Sequence, residues 1–313
     1  MEEQSKPEVN PKKAYNLEEI YNKHYKKLLL IPFLLLLFSL IVIGAKVATT
    51  GDFISKDVSL KGGVTITVPV EIEVNTGVLQ SKVSSDLGSY DVSVSSISDK
   101  GKQIAILISS DIDGTDEEQF NLLLSSLGKN LETDLEKGSY SVEIIGSSLG
   151  ASFFREILIA ILFAFLFMGL VVFVYFRTFV PSIAVILAAF SDIVITIAFV
   201  NILGIKVSTA GIAAFLMLIG YSVDTDIMLS TRVLKRKEGS VFHRIKGAFD
   251  TGIVMTTTTI AALTLALIFT QSDVIRQIMT ILLIGLGADI INTWLQNAGI
   301  LRYYMERKNE PKD

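Results

Sequence analysis

The chain has 313 residues, 50% of them hydrophobic and 19% charged, at a mean hydropathy of +0.52. So apolar a composition cannot be spread over a soluble surface, which argues for several membrane spans and against disorder. No cysteine and only two histidines (His24 and His243) exclude disulfides, thiolate zinc sites and histidine-rich metal cages, and a net charge of −4 offers no footprint for nucleic acid.

Residues 1–27 form a polar tail. The run from Leu28 to Val47 is long enough for a spanning helix. It exceeds a signal-peptide core and follows 27 residues, so the sequence predicts an uncleaved anchor. Residues 48–152 differ in kind, with 7 basic and 16 acidic residues and many serines. Gly62–Val74 alternates apolar and polar residues as a half-buried strand does. Thr76–Leu87 places Val78, Leu79, Val83 and Leu87 at helical spacing. Residues 90–98 alternate again, Lys100–Gly101 marks a turn, and residues 102–110 read as a further strand. Thr115 and Glu118 suggest a capping box, opening a helix whose apolar face runs through Phe120, Leu123, Leu124, Leu127 and Leu131. Residues 139–146 close the series. The order β-α-β-β-α-β predicts a ferredoxin-like α+β domain. The acidic run from Asp111 to Glu118 lacks the spaced ligands of a calcium loop and reads as a solvated lead into the helix.

Five more apolar runs follow: Ile157–Phe176, Val180–Val200, Ser208–Leu229, Ile253–Phe269 and Ile278–Leu301. The predicted fold is an α-helical polytopic membrane protein of six transmembrane helices, with the α+β domain between helices 1 and 2. Basic residues gather before span one (Lys23, Lys26, Lys27), at Arg177, after span four (Arg232 to Lys246) and in the tail (Arg302, Arg307, Lys308). The opposite short loops hold one each, Lys206 and Arg276. This bias predicts a multi-pass protein of the cell membrane with both termini cytoplasmic and residues 48–152 outside. The expected organisation is a tail over 1–27, helix 1 over 28–47, the extracytoplasmic domain over 48–152, helices 2–6 over 153–304 and a tail over 305–313.

Four carboxylates fall inside spans: Asp192 in span three, Asp224 and Asp226 in span four, and Asp289 in span six. Such residues are costly there and face a bundle interior. No lysine or arginine lies at a depth to match all four. A carboxyl shut away from water without a cation can take up and release a proton, which makes the four proton-relay candidates. Alternatively they are packing groups bonded to Ser, Thr or Asn. Polar partners within reach include Ser191, Ser222, Thr225, Thr256, Thr257, Thr258, Thr259, Asn292 and Thr293. Asp224 is the leading candidate; Asp226, on the other side of the helix and nearer its exit, reads as a helix-end or supporting group.

Gly204, Gly211, Gly220, Gly285, Gly287 and Gly299 allow close helix approach. Residues 232–251 read either as a short basic amphipathic helix on the cytoplasmic surface, with His243 at the interface, or as a solvated positive loop.

One span, an α+β domain and five packed spans resemble the SecD/SecF family of the resistance-nodulation-division superfamily. "GSSLGASFFREIL" resembles the family's entry into span two. Tyr175, Arg177 and Asp192 resemble its Tyr-x-Arg turn and span-three Asp. "LIGYSVDTDIML", with Gly220, Tyr221, Ser222 and Thr225, is similar to the span-four signature, and "LKGGVTITV" to the segment that opens the outer domain. The GYS sequence and the short outer domain suit the SecF branch; "VDTD" and "DIINTWLQNAGIL" suit its archaeal type. Two positions depart from bacterial members: Thr225 stands where they carry the span-four Asp, and Gly252 where they carry an Arg before span five, a site followed here by Thr256 and Thr257.

The resemblance implies a non-enzymatic accessory subunit of the Sec export machinery, without cofactor or metal. It would work in the lipid bilayer with SecD, the SecY translocon complex and the translocating polypeptide, and draw on the proton-motive force. Two rivals are a proton-coupled small-molecule or lipid transporter half of the same superfamily and a structural scaffold without ion coupling. An intramembrane aspartyl protease would need a "YD…GxGD" pair that the chain lacks.

Overall fold

The structure, a computed structural model, describes residues 17–99, 102–133, 135–136, 138–236 and 239–309. The expected turn at Lys100–Gly101 and parts of both tails lie outside them. In chain order the elements are α1 (Leu17–Leu28), α2 (Leu30–Thr50), α3 (Val58–Lys61), β1 (Gly63–Pro69), α4 (Thr76–Leu87), β2 (Val92–Asp99), β3 (Lys102–Ser110), α5 (Glu117–Leu131) and β4 (Ser141–Ile145). Then come α6 (Ser147–Phe176), α7 (Phe179–Ile202), α8 (Thr209–Lys235), α9 (Val241–Phe269), α10 (Asp273–Ile291), a π-helical turn (Asn292–Asn297) and α11 (Ala298–Asn309).

The four strands make one antiparallel sheet in the order β2-β3-β1-β4. Its core follows from period-two alternation. Val64, Ile66 and Val68 of β1 turn to one face with Ile106 and Ile108 of β3. Helices α4 and α5 cover that face with Leu79, Val83 and Leu87 and with Leu123 and Leu127, spaced by one helical turn. β1 stops at Pro69, earlier than the alternation to Val74 suggests, because proline has no N–H for the ladder. The α5 cap also differs from expectation. Asp116, not Thr115, accepts from the amides of Glu118 and Gln119 at 2.9 and 3.3 Å. The Thr115 hydroxyl is held by Asp113 at 2.7 Å, and a carboxylate is the stronger cap acceptor.

Among the described residues six helices are long and apolar enough to cross a membrane, beginning with Lys23–Thr50 and ending with Asp273–Lys308. α7 and α8 are mostly buried, whereas few residues of α2, α6 and α9 are. α8 meets α10 at Leu218 and Gly285, and α9 meets the π-helical turn at Gly252 and Trp294. The described residues of 232–251 do not form a separate surface helix. Arg232–Lys235 end α8, and Val241–Asp250 run without a break into α9.

A short joint ties the sheet to the spans. Val207, in the α7–α8 turn, bridges in parallel to Lys56, with its N–H on Ser55 O at 2.7 Å and its carbonyl taking Asp57 N–H at 2.9 Å. Asn201 at the end of α7 accepts from Ser55 N and donates to Phe53 O. Asp91 receives Lys61 Nζ at 3.0 Å and Lys206 Nζ at 2.5 Å, and Lys61 also reaches Asp111 at 3.0 Å. Gly62 and Gly150 pack backbone to backbone: a Cβ on Gly150 would stand 2.6 Å from Gly62 N. The sequence segments "LKGGVTITV" and "GSSLGASFFREIL" therefore meet, and their glycines are what let α6 leave the sheet so closely.

Candidate functional site: a buried aspartate cluster

Three of the four intramembrane aspartates converge. Asp192 comes from α7, Asp226 from α8 and Asp289 from α10, and each is essentially sealed from solvent. Helical spacing explains the company they keep. Ser222 precedes Asp226 by one turn. Asp289, Thr293 and Asn297 descend one face at intervals of four. The π-helical turn widens the helix where Asn292, Thr293, Gln296 and Asn297 are all buried, a distortion that recurs at functional sites.

Both oxygens of Asp192 accept: Asn292 Nδ2 donates to Oδ1 at 2.7 Å and Ser222 Oγ to Oδ2 at 2.6 Å. Asp226 Oδ1 takes Asn297 Nδ2 at 2.7 Å, and its Oδ2 is buried with no partner. Asp289 lies in interacting range of Asp192 and Ser222. Thr293 Oγ1 stands 3.1 Å from Asp226 Oδ1 and 3.0 Å from Asp289 Oδ1. A hydroxyl has one hydrogen to donate. Either the one hydrogen is shared between the two carboxyl oxygens, or one carboxyl is an acid that donates to the hydroxyl while the other accepts from it. Among the described residues no lysine or arginine pairs with any of the three aspartates.

Asp224 is elsewhere. It is exposed on α8, two residues from Asp226 and on the other side of the helix, in a strip with Met217, Gly220 and Tyr221, all exposed. Asp226, expected as a helix-end or supporting group, is fully buried. The difference is one of helix phase: Ser222 and Asp226 share the inward face and Asp224 does not. Thr225 is buried but bonds back to Tyr221 O, and Ser191 bonds back to Leu187 O. Thr256 is buried and Thr257 exposed on α9; Thr258 and Thr259 bond to Met255 O. Asn297 was not among the partners expected, although the spacing 289-293-297 carries the signal. Gly252 packs under Trp294, where a Cβ would stand 2.4 Å from the indole ring, so the ring occupies the side-chain space of that position.

The comparisons with known proteins agree. The model of the family "Protein export membrane protein SecD/SecF, C-terminal" matches residues 125–307. The protein-export membrane protein SecF of Methanocaldococcus jannaschii is 40% identical over 289 residues, which cover 90% of this chain and 96% of the relative. That of Pyrococcus furiosus is 37% identical over 305 residues, covering 96% and 98%. The crystal structure of SecDF from Thermus thermophilus, described as a translocon-associated membrane protein, superposes with a TM-score of 0.68 at 19% identity. That match covers 92% of this chain and 38% of the SecDF chain, so the likeness is one of fold and spans well under half of the larger protein. By these matches the chain belongs to the SecD/SecF class of protein-export membrane proteins. Within it, the chain belongs to the SecF family, of archaeal type.

Proposed function

We infer that the chain works as its family does, as an accessory subunit of Sec protein export rather than as an enzyme. Membership of the SecF family supports this directly. The finer reading is a proposal. The sheet unit is the ferredoxin-like extracytoplasmic domain, both termini are cytoplasmic, and the chain stands beside a SecD partner at the SecY channel, acting on the emerging polypeptide. The SecDF superposition supports the pairing with SecD. So does Asp224: a carboxylate facing lipid costs about 2.5–3.5 kcal/mol, so protein covers the strip Met217–Gly220–Tyr221–Asp224.

The buried cluster is the proton-handling element. The observation that carries this is the single Thr293 hydroxyl between Asp226 and Asp289. A proton on either carboxyl passes to the other when both hydrogens shift along the acid–hydroxyl–carboxylate line. Asp192, against Asp289, extends the line across to α7. Moving charge between α8 and α10 alters which helix pairs attract, and drives motion if the proton's affinity differs between two helix arrangements. The experiment is export by inverted vesicles with and without an imposed pH gradient. Asp226→Asn and Asp289→Asn should each abolish the gradient's stimulation while SecD still co-purifies. Undiminished stimulation in both would remove the relay.

A scaffold reading has one observation in its favour: both oxygens of Asp192 are already satisfied by Asn292 and Ser222. Asp192→Asn separates the two. A scaffold tolerates it, whereas the relay loses its third member.

A further inference from the structure

The ends of α8 and α9 remote from the sheet enclose a pocket of about 180 Å³ lined by Arg232, Arg236, Gly239, His243, Arg244 and Gly247. Three guanidiniums and an imidazole meet there, and no carboxylate is among the described lining residues. Two of the arginines are tied down. Arg232 reaches across to α9, donating Nη1 to the Gly247 carbonyl and Nη2 to Thr251 Oγ1 at 2.9 Å. Arg244 reaches back to the end of α8, donating Nη1 to Val233 O at 2.7 Å and to Arg236 O at 2.5 Å. A merely solvated positive loop would splay these cations apart. Here the backbone holds them together, oriented before any ligand arrives, which reduces the entropy lost on binding. Each arginine has five N–H donors, so several remain. Arg244 Nε is buried with no partner at all. Gly239, at φ +73°, lies beside the His243 ring, where a Cβ would come within 3.1 Å; a Cβ on Gly247 would stand 3.7 Å from Arg232 Nη1. Both glycines keep the space between the two helices open.

We propose that this pocket binds a phosphate group. Arg232 and Arg244 form its fixed side, and Arg236 and His243 close on the anion from the rim. Planar guanidinium forks match phosphate oxygens in pairs. The location favours the same chemistry, because the ends of two spans lie level with bilayer headgroups. The phosphate is that of an anionic lipid or a free anion, and the test tells them apart.

Purified full-length protein is titrated in detergent with dioleoylphosphatidylglycerol, with dioleoylglycerol (the same chains without phosphate) and with sodium phosphate, reading native-mass adducts and thermal unfolding. Neither the Arg236 nor the His243 side chain holds α8 to α9 by the bonds above, so Arg236→Ala/His243→Ala should leave the unliganded unfolding temperature unchanged. Should it not, Arg236→Gln alone is read. The phosphatidylglycerol lipid should bind at least tenfold more tightly than dioleoylglycerol, and the variant should lose that margin. Protection by phosphatidylglycerol and not by sodium phosphate assigns the lipid; protection by sodium phosphate, lost in the same variant, assigns the free anion. Two results overturn the proposal: no preference for phosphatidylglycerol together with no effect of sodium phosphate, or binding that the variant leaves untouched.

Discussion

Asn292 donates its side-chain amide to Asp192 Oδ1 at 2.7 Å, joining α7 to the π-helical turn across 100 positions of sequence. With Ser222 on the other oxygen, the carboxyl is satisfied on both sides. Asn292→Leu leaves Asp192 Oδ1 buried and bare, at a cost of about 1–3 kcal/mol. Asp192→Asn keeps an acceptor for Asn292 and a polar group for Ser222, and should cost less than about 1 kcal/mol. Thermal unfolding of the two purified variants checks the ranking.

The two aspartates of "VDTD" should separate cleanly. Asp226→Leu strands Asn297 and leaves Thr293 with Asp289 alone, so the purified chain loses about 1–3 kcal/mol of stability. Asp224→Leu removes an exposed carboxylate and should leave the isolated chain as stable as before or slightly more so. Co-purification with SecD should report the reverse, weakened by Asp224→Leu.

Two glycines two residues apart should also part company. A Cβ on Gly285 would stand 2.3 Å from buried Leu218, so Gly285→Ala should destabilise by about 1–3 kcal/mol. Nothing lies within 4 Å of a Cβ on Gly287, where Gly287→Ala should stabilise the isolated chain by about 0.5–1 kcal/mol. Chemical denaturation in detergent distinguishes them.

The joint between sheet and spans has a pH window. Burial pushes the Asp91 carboxyl up, but the hydrogen bonds and charges of Lys206 and Lys61 outweigh it and hold it below its ordinary 3.8. Burial pushes the Lys61 ammonium down, and its bonds to Asp91 and Asp111 outweigh that and hold it above its ordinary 10.5. The stabilisation from Asp91 is therefore complete above 3.8 and lost as pH falls through the lower folded value. That from Lys61 is complete below 10.5 and lost as pH rises through the higher one. The joint should hold across the whole neutral range. Since the three side chains are partly exposed, an Asp91–Lys206 mutant cycle should give a coupling of only about 1 kcal/mol. Protection of the Val207 amide against hydrogen exchange, taken relative to the unstructured rate at the same pH, should fall in acid and in Asp91→Asn alike.

Much of this was legible in the sequence because it rests on periodicity. Spans of about twenty apolar residues and alternation such as Val64-x-Ile66-x-Val68 leave little choice of element. Asp192, Asp226 and Asp289 were visible as costly residues, but not which of them meet. That depends on helix phase, which excludes Asp224, and on the π-helical turn, which the polar run Asn292–Asn297 hints at without fixing. Segment boundaries failed where local chemistry outranked pattern: Pro69 ended a strand early, Asp116 displaced Thr115 as a cap, and the basic segment after span four continued into α9. The Lys56–Val207 bridge, between residues far apart in the chain, carries no sequence signal.

The relay we propose shares one proton among Asp192, Asp226 and Asp289. Infrared difference spectroscopy of the reconstituted chain with its SecD partner, on a step from acidic to alkaline buffer, addresses it directly. A shared proton should give a carboxylic-acid C=O band that changes across the step and is lost or displaced in both Asp226→Asn and Asp289→Asn. A spectrum in which these carboxyls keep one charge form throughout, with export running normally, would contradict it.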